Sequence, residues 1–531
     1  MALDLQNFRD ESLDPAYVAF LLDREAAVRA ARYERLWAYF RNLLLSPSDA
    51  VAGVMNSSSR PYVQAQEIGL PSRITGVERS GRSDHPCDLR RKEVVIENDI
   101  AWRIHAMVDF LFGKGVTIRS LAPDAAMAGI VERVASALLE AGGGVALLEE
   151  IALLGSVYGF VDIALRAPAD AALVSPTPET IADSRPAAPG VRRPGTPDFN
   201  SAGDDSLATA SQLAVAAAAE IQLEPVEAPR IIPLLDENDS RRVRYWIQRF
   251  MKRPQRVHGK AASWLRLPWM RRGDSPAAVE VVEIIGPAWW QRYEDRVLVA
   301  EGENGLGRLS VVHIPNITQP GAYEGLSDVE PLIPLQDELN TRLSDRANRV
   351  TYQSFKMYLG KGIEDFLDRP VGPGQMWATQ NLAASIEEFG SDNGSPSEDA
   401  HIEQVRQAMD KVSCVTPLAA GLLRDGLGNL SSATALRVVL SGLLSRTARK
   451  RLTYGAGLKQ IVELALAHLD AVGVLRTRPA DRRVEILWPS PLPADEGEQL
   501  RNALIKTQLG VPADRILAEL GYRREDDAQI E

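Results

Sequence analysis

The sequence predicts an α+β chain, and three observations carry that reading. Residues 432–470, "SATALRVVLSGLLSRTARKRLTYGAGLKQIVELALAHLD", contain no proline, enough for a helix of roughly 58 Å. Residues 241–314 hold β-branched and aromatic runs ("AVEVVEII", "WWQRYEDRVLVAEG", "GRLSVVHIP") separated by glycine and proline, the texture of strands. Residues 16–45 are helical in period, with Leu21, Leu22, Val28, Leu36 and Phe40 near one face and arginines and glutamates on the other.

From the N-terminus, residues 46–92 are loop-rich. "EVVIENDIAWRIHAMVDFLFGKGVTIR", 93–119, predicts a helix to about Phe112, a stop at "GKG", and a short strand. Residues 127–166 predict two helices broken at Gly142–Gly144, then a strand. Residues 167–230 are rich in proline, alanine, serine and aspartate, which predicts a long mobile insertion with an alanine-rich helix at 207–223. The strands of 241–314 follow.

Residues 327–350, "SDVEPLIPLQDELNTRLSDRANRV", predict a helix. Ser327 and Glu330 have capping-box spacing, while Pro331 and Pro334 place the start of regular helix near Pro334. Leu332, Leu335, Leu339, Leu343, Ala347 and Val350 make one apolar stripe. Glu338–Arg342 and Asp345–Arg349 are acid-first i,i+4 pairs, each worth roughly 0.2–0.5 kcal/mol. A compact, breaker-rich segment at 355–390 comes next, then a helix at 397–413, a loop at 414–430 and the long helix. A strand, a proline-rich turn and two helices close the chain.

The 531 residues are 45% hydrophobic and 25% charged, enough for a large core, and the net charge is −11. That sign disfavours a surface that grips nucleic acid everywhere, because such binding neutralises phosphates with Lys and Arg. Two distant cysteines, Cys87 and Cys414, indicate no disulfide framework and suit a reducing compartment. "MALDLQNFRDESLDP" has no apolar core of a signal peptide, and no stretch reaches the length of a membrane span.

No chemical motif emerges. There is no phosphate-binding G-x-x-x-x-G-K-[ST], no G-x-S-x-G, no H-E-x-x-H and no C-x-x-C. The six histidines are dispersed, and His85 with Cys87 in "DHPCD" is too small a set to hold a metal. No catalytic residue, metal or cofactor is expected.

The sharpest charge feature is 241–272, with eleven Lys or Arg, no acid, and interleaved Tyr245, Trp246, Phe250, Trp264 and Trp269. One reading is a nucleic-acid-facing patch that includes Arg241, Arg242, Arg244, Arg249, Lys252 and Arg253. The other is a set of strands whose basic faces meet acidic neighbours, within the chain or across a subunit interface. A second cluster, Arg446, Arg449, Lys450 and Arg451, reads as a solvated face or a contact to an adjacent subunit.

The order of these parts resembles the bacteriophage portal proteins over about 93–531. The matching pieces are "ENDIAWRIHAMVDFLFGKGVTI", "GRLSVVHIPN", "GLSDVEPLIPLQDELNTRLSD", "SSATALR" and "PSPLPADEGEQ…GVPADRILAELGY". The resemblance implies a portal fold: a mixed α/β wing, a two-helix stem, a small α/β clip, a tunnel loop, a long wing helix and a helical crown. Carried over by position, 1–326 is wing, with the 167–230 insertion. Residues 327–353 are the first stem helix, 354–395 the clip and 396–413 the second stem helix. Residues 414–431 are the tunnel loop, 432–470 the long wing helix, and 471–531 the wing edge and crown.

It further implies a ring of about twelve subunits at one capsid vertex. Double-stranded DNA passes through such a ring during packaging and ejection. The implied partners are the terminase large subunit, major capsid and scaffolding proteins and a head-completion adaptor, without a membrane. The location is the virion, and the host cytoplasm during assembly. Leu422, Leu423, Arg424, Asp425 and Asn429 then fall on the tunnel loop, Glu338, Arg342, Asp345 and Arg349 on the stem's channel face. Lys356, Lys361, Glu364 and Asp365 fall on the clip side that meets terminase or adaptor. The alternatives are a nucleic-acid-processing enzyme built on 241–272 and another phage head component.

Overall fold

The structure is a computed structural model that describes residues 9–10, 14–45, 62–75, 93–167, 204–239, 241–252, 278–354, 357–361, 383–389, 396–421, 433–492, 496–513 and 516–517. Helices and strands both contribute, as the sequence predicts. The helices are α1 (Pro15–Phe20), α2 (Ala26–Arg41), α3 (Ser72–Thr75), α4 (Asp99–Phe112), α5 (Ala125–Ala141), α6 (Val145–Tyr158), α7 (Asp204–Glu220), α8 (Ile333–Ser354), α9 (Pro396–Ser413), α10 (Ala433–Val439), α11 (Ser441–Ala471) and α12 (Glu496–Gln508). The strands are β1 (Leu44–Leu45), β2 (Val63–Gln64), β3 (Thr117–Ser120), β4 (Phe160–Arg166), β5 (Gln222–Val226), β6 (Ile231–Leu235), β7 (Val243–Lys252), β8 (Val279–Ile285), β9 (Trp289–Glu294), β10 (Val297–Glu303), β11 (Val311–Pro315), β12 (Met357–Lys361), β13 (Ser385–Phe389) and β14 (Val484–Leu487).

The chain divides into two compact units, each discontinuous in sequence. The first comprises Met1–Glu34, Ile104–Ser327 and Val415–Glu531, the second Arg35–Arg103 and Asp328–Cys414.

In the first unit, β10-β9-β8-β7-β6 form an antiparallel sheet. Alternating residues of that sheet, among them Ile247, Val282, Ile284 and Tyr293, are buried against Val18, Leu21 and Leu22. Val28, expected on this face, is 73% exposed. The helix carries a π segment at Leu21–Glu25, which shifts the helical phase of the residues that follow. A second sheet, β11-β4-β5, lies beneath α11. Gly457 permits the close approach, because a Cβ there would sit 2.4 Å from Ile314.

Three expectations need correction. Residues 204–230 belong to the fold: α7 packs on α5 through Ala214 and Ala218, and β5 pairs with β4. The composition misled because small alanines pack closely at little entropic cost. The rest of the expected insertion, 168–203, lies outside the described residues. In the long helix, Leu440 interrupts the run between α10 and α11. Lys450 and Arg451 are not on a solvated face. Lys450 is buried and donates to Ser156 Oγ at 2.8 Å. Arg451 stacks over Trp488 and donates to the Pro489 carbonyl at 2.9 Å.

The loop after β11 is held closely in this unit. Gly159 has φ +94°, and its added Cβ would lie 2.5 Å from the Gly325 carbonyl oxygen. Asn316 accepts from the Tyr454 hydroxyl and donates to the Leu326 carbonyl. Glu324 pairs with Arg29 at 2.6 Å and Arg32 at 2.9 Å. Burial pushes the Glu324 carboxyl up, but Arg29, Tyr33 and Arg32 outweigh it and hold it below the usual range. A depressed carboxyl adds stability above its unfolded value of about 4.3 that is lost as pH falls through the folded one. Glu324→Gln should therefore cost about 1–2 kcal/mol near neutral pH, and the difference from wild type should shrink on acidification. Thermal melts at neutral and acidic pH check this.

The second unit is built on α8 and α9. Leu332, Leu339, Ile402, Val405 and Met409 are buried in it. The β1–β2 and β12–β13 ribbons complete the described strands of this unit.

Candidate functional site

The residues that lead into α8 begin with a 3-10 turn at Glu330–Leu332 that carries Pro331, and α8 itself starts at Ile333, next to the expected Pro334. The Ser327 hydroxyl has a tertiary partner. It donates to the Val157 carbonyl at 2.6 Å, and the residue at the N-cap position of the turn is Val329, which has no side-chain cap bond.

The inward face of α8 is a polar row. Gln336, Asn340, Ser344 and Asn348 are all buried and follow one another at i,i+4. They bond the backbone of the extended segment 93–99. Asn348 accepts from the Glu93 N–H and donates to its carbonyl. Ser344 accepts from the Val95 N–H at 3.0 Å. Asn340 accepts from the Glu97 N–H, and Gln336 donates to the Glu97 carbonyl and accepts from the Asp99 N–H.

Geometry explains the match. Four helical residues rise about 6.0 Å and two extended residues about 6.6 Å, so every helical turn meets every second strand residue. The β-branched "EVVIEN" thus gains strand-like satisfaction from side chains instead of a neighbouring strand. Leu335, Leu343 and Ala347 of the expected apolar stripe are only half-buried, and Val350 is exposed.

The four predicted face residues are all half-buried and ion-paired. Glu338 pairs with Arg342 at 2.7 Å as expected, and with His401 at 3.1 Å. Burial pushes the Glu338 carboxyl up, but Arg342 and His401 outweigh it and hold it low. The expected Asp345–Arg349 pair is replaced. Asp345 is held by Arg73 and faces Arg342, while Arg349 reaches Glu398 on α9. Arg346 meets Asp399 at 3.1 Å. The face therefore matches Glu338, Asp345, Glu398 and Asp399 against Arg73, Arg342, Arg346 and Arg349.

Beneath this face lies a group that motif reading missed. Arg103 is 1% exposed and pairs with Asp99 at 2.8 Å and Asp410 at 2.6 Å. It also stacks over Trp102, whose indole N–H donates to Asp99. The i,i+4 spacing of Asp99 and Arg103 was readable in the sequence, whereas Asp410 is too distant along the chain to be foreseen.

The basic segment is described as far as Lys252. Arg244 pairs with Asp10, Arg249 with Glu280, and Lys252 with Glu294. Arg249 also donates to the Leu22 carbonyl, in the π segment. Arg241 and Arg242 are exposed at the turn before β7. The aromatic residues Tyr245 and Trp246 point into the fold, where the Trp246 indole donates to Asp162 at 2.7 Å. Lys361 ends β12, exposed and opposite Ser385 of β13. Arg253, Lys356, Glu364, Asp365, Leu422, Leu423, Arg424, Asp425 and Asn429 lie outside the described residues.

Among the described residues no cluster of His, Cys, Asp and Glu fits a metal ion, and no helix is long and apolar enough to cross a membrane. The described part of α8 and α9 is a frame of packed helices with its charges paired internally. Residues 269–531 match the family model "Phage portal protein, SPP1 Gp6-like", and the chain belongs to the phage portal protein family. No curated protein matches the sequence. A chain in the solved "Virion of native gene transfer agent (GTA) particle" is similar at 12% identity and a TM-score of 0.34, over 79% of this chain and 93% of that one.

Proposed function

We propose that this protein forms the ring-shaped portal at one capsid vertex, the channel through which terminase packages double-stranded DNA and through which the DNA later leaves. The observation that carries the reading is the family match over 269–531, which begins before α8 and runs through α9 and α11. In this reading α8 and α9 are the stem helices, 354–395 the clip, 414–431 the tunnel loop, and the remainder wing and crown. Head-completion proteins attach to the assembled ring.

The charge pattern of α8 supports a stem. A channel must pass DNA without trapping it, and every phosphate neutralised by an unpaired cation deepens a well that the motor must climb. On this face each arginine already has an acid partner. The paired charges give a wall of mixed sign and shallow potential.

Native mass spectrometry and electron microscopy of the purified protein test the proposal. Closed rings of about a dozen subunits are expected. A chain that stays monomeric across salt and concentration would defeat it.

A further inference from the structure

The loop between α11 and β14, residues 472–483, leaves arginines without acid partners. Arg476, Arg478 and Arg483 are exposed, and among the described residues none of the three pairs with an acid. The stretch "VGVLRTRPADRR" holds a single acid, Asp481. Its carboxylate accepts from the Arg478 backbone N–H at 2.9 Å.

The loop is braced from beneath. Leu475 and Thr477 are buried, so Arg476 and Arg478 alternate with them and share the outer side. Arg482, whose side chain is 17% exposed, is the brace. Its Nε donates to the Thr477 hydroxyl at 2.7 Å, and its Nη2 donates to the Thr477 carbonyl at 2.9 Å and to Asp470 at 2.5 Å. The Asp481 N–H closes a turn on the Arg478 carbonyl, and the Arg483 carbonyl accepts from the Leu121 N–H at the end of β3.

Two ordinary roles for these arginines are already filled. A cation beyond a helix can answer its last carbonyls. In α11 the carbonyls of His468, Leu469 and Asp470 instead accept from backbone N–H groups of Val472, Gly473, Val474 and Leu475. A surface ion pair needs an acid, and Arg482 takes Asp470. The loop therefore holds like charges close together on a fixed backbone, which costs repulsion, in a chain whose net charge is −11. On α8 the opposite holds: Arg342, Arg346 and Arg349 each meet an acid. A phosphate finds its cations answered there and open here.

We infer that the loop 472–483 is a contact for the phosphate backbone of duplex DNA, with Arg476, Arg478 and Arg483 as the phosphate-binding residues. The chemistry comes from the loop, because guanidinium groups meet phosphate oxygens in strong, charge-assisted hydrogen bonds. The choice of DNA as the source of the phosphate rests on the portal reading above. Phosphate contacts carry no sequence information, so the contact is indifferent to base sequence. The brace of Arg482 lowers the ordering cost of binding.

Fluorescence anisotropy of a labelled short duplex with the full-length protein, titrated across a range of salt, tests this. The logarithm of the binding constant falls with the logarithm of salt by about 0.9 per phosphate neutralised. Replacing all three residues (Arg476→Gln, Arg478→Gln, Arg483→Gln) should make that slope shallower by about 2.7 for each loop that engages the duplex, and weaken binding at low salt by about tenfold or more. The matching lysine variant (Arg476→Lys, Arg478→Lys, Arg483→Lys) should keep the wild-type slope, since the slope counts charges. A charge-matched control removes three exposed cations that are ion-paired, Arg9→Gln, Lys252→Gln and Arg308→Gln, and should leave the slope within about 1 of wild type.

An unchanged slope in the glutamine variant, or an equal loss in the control, would overturn the proposal. So would a wild-type protein that binds no duplex at low salt, whatever the variants do, and the loop would then fit an acidic protein surface instead. Electron microscopy of the same samples separates this contact from the portal reading. Rings whose duplex binding ignores the three arginines defeat the loop contact alone. Absence of rings defeats the portal reading, while the titrations still decide whether the loop binds phosphate.

Discussion

Replacing Arg103 with leucine is expected to destabilise the second unit by about 3–5 kcal/mol, the usual cost of removing one partner from a buried ion pair. The guanidinium is 1% exposed and is the shared cation of Asp99 and Asp410. Without it two carboxylates of like charge remain in a site that water barely reaches. The attraction itself is not the source of the loss, because desolvation already offsets much of it. The loss comes from the stranded charges. The triple variant Arg103→Leu, Asp99→Asn, Asp410→Asn removes them and should recover most of the stability. Denaturant midpoints of the single and triple variants measure this. A single variant within about 1 kcal/mol of wild type would show that the triad is solvated in solution.

The sequence made the local elements legible wherever local physics decides them. The stop at "GKG", the break at Gly142–Gly144 and the start of α8 beside Pro334 fall within a residue or two of expectation. These depend on the backbone limits of glycine and proline, which act without partners. What could not be read is the identity of each partner. Asp345 has Arg349 one turn away, yet Arg73, far away in the sequence, takes it. Glu338, whose nearest cation is on its own helix, keeps the expected pair with Arg342. Lys450 looks like one more surface cation in "RTARKR", but it is buried against Ser156. On α8 two rows at helical spacing compete, one of leucines and one of amides and a hydroxyl. Hydrophobic reasoning chooses the leucines. The fold buries the polar row, because an extended segment with unpaired N–H and C=O groups lies on it. The tunnel-loop and most clip positions lie outside the described residues, so the portal reading of those residues rests on the family resemblance.

Asn340→Ala is the second large effect, and it separates the two accounts of α8. Asn340 accepts from the Glu97 N–H and from Gln336, and donates to the Gln66 side-chain oxygen. Truncation leaves three buried polar groups each short of a partner, a loss of about 3–9 kcal/mol at roughly 1–3 kcal/mol per group, less whatever water recovers. Ser344→Ala costs the Val95 N–H its acceptor and should be milder, about 1–2 kcal/mol. Hydrogen exchange gives the specific signature: amides 95, 97 and 99 should lose protection in Asn340→Ala before α8 itself does. If apolar packing held the helix, the order would reverse, and Leu343→Ala would cost more than Asn340→Ala. If α8 is a stem helix, as proposed, the outcome bears on the channel as well. Hydrogen bonds are directional where apolar contacts are not, so a polar row fixes the rotation of α8 about its own axis. That rotation decides which charges the other side presents. In a ring of stem helices, a helix free to roll would expose its arginines to phosphate, whereas one pinned by Gln336, Asn340, Ser344 and Asn348 keeps them on their acids.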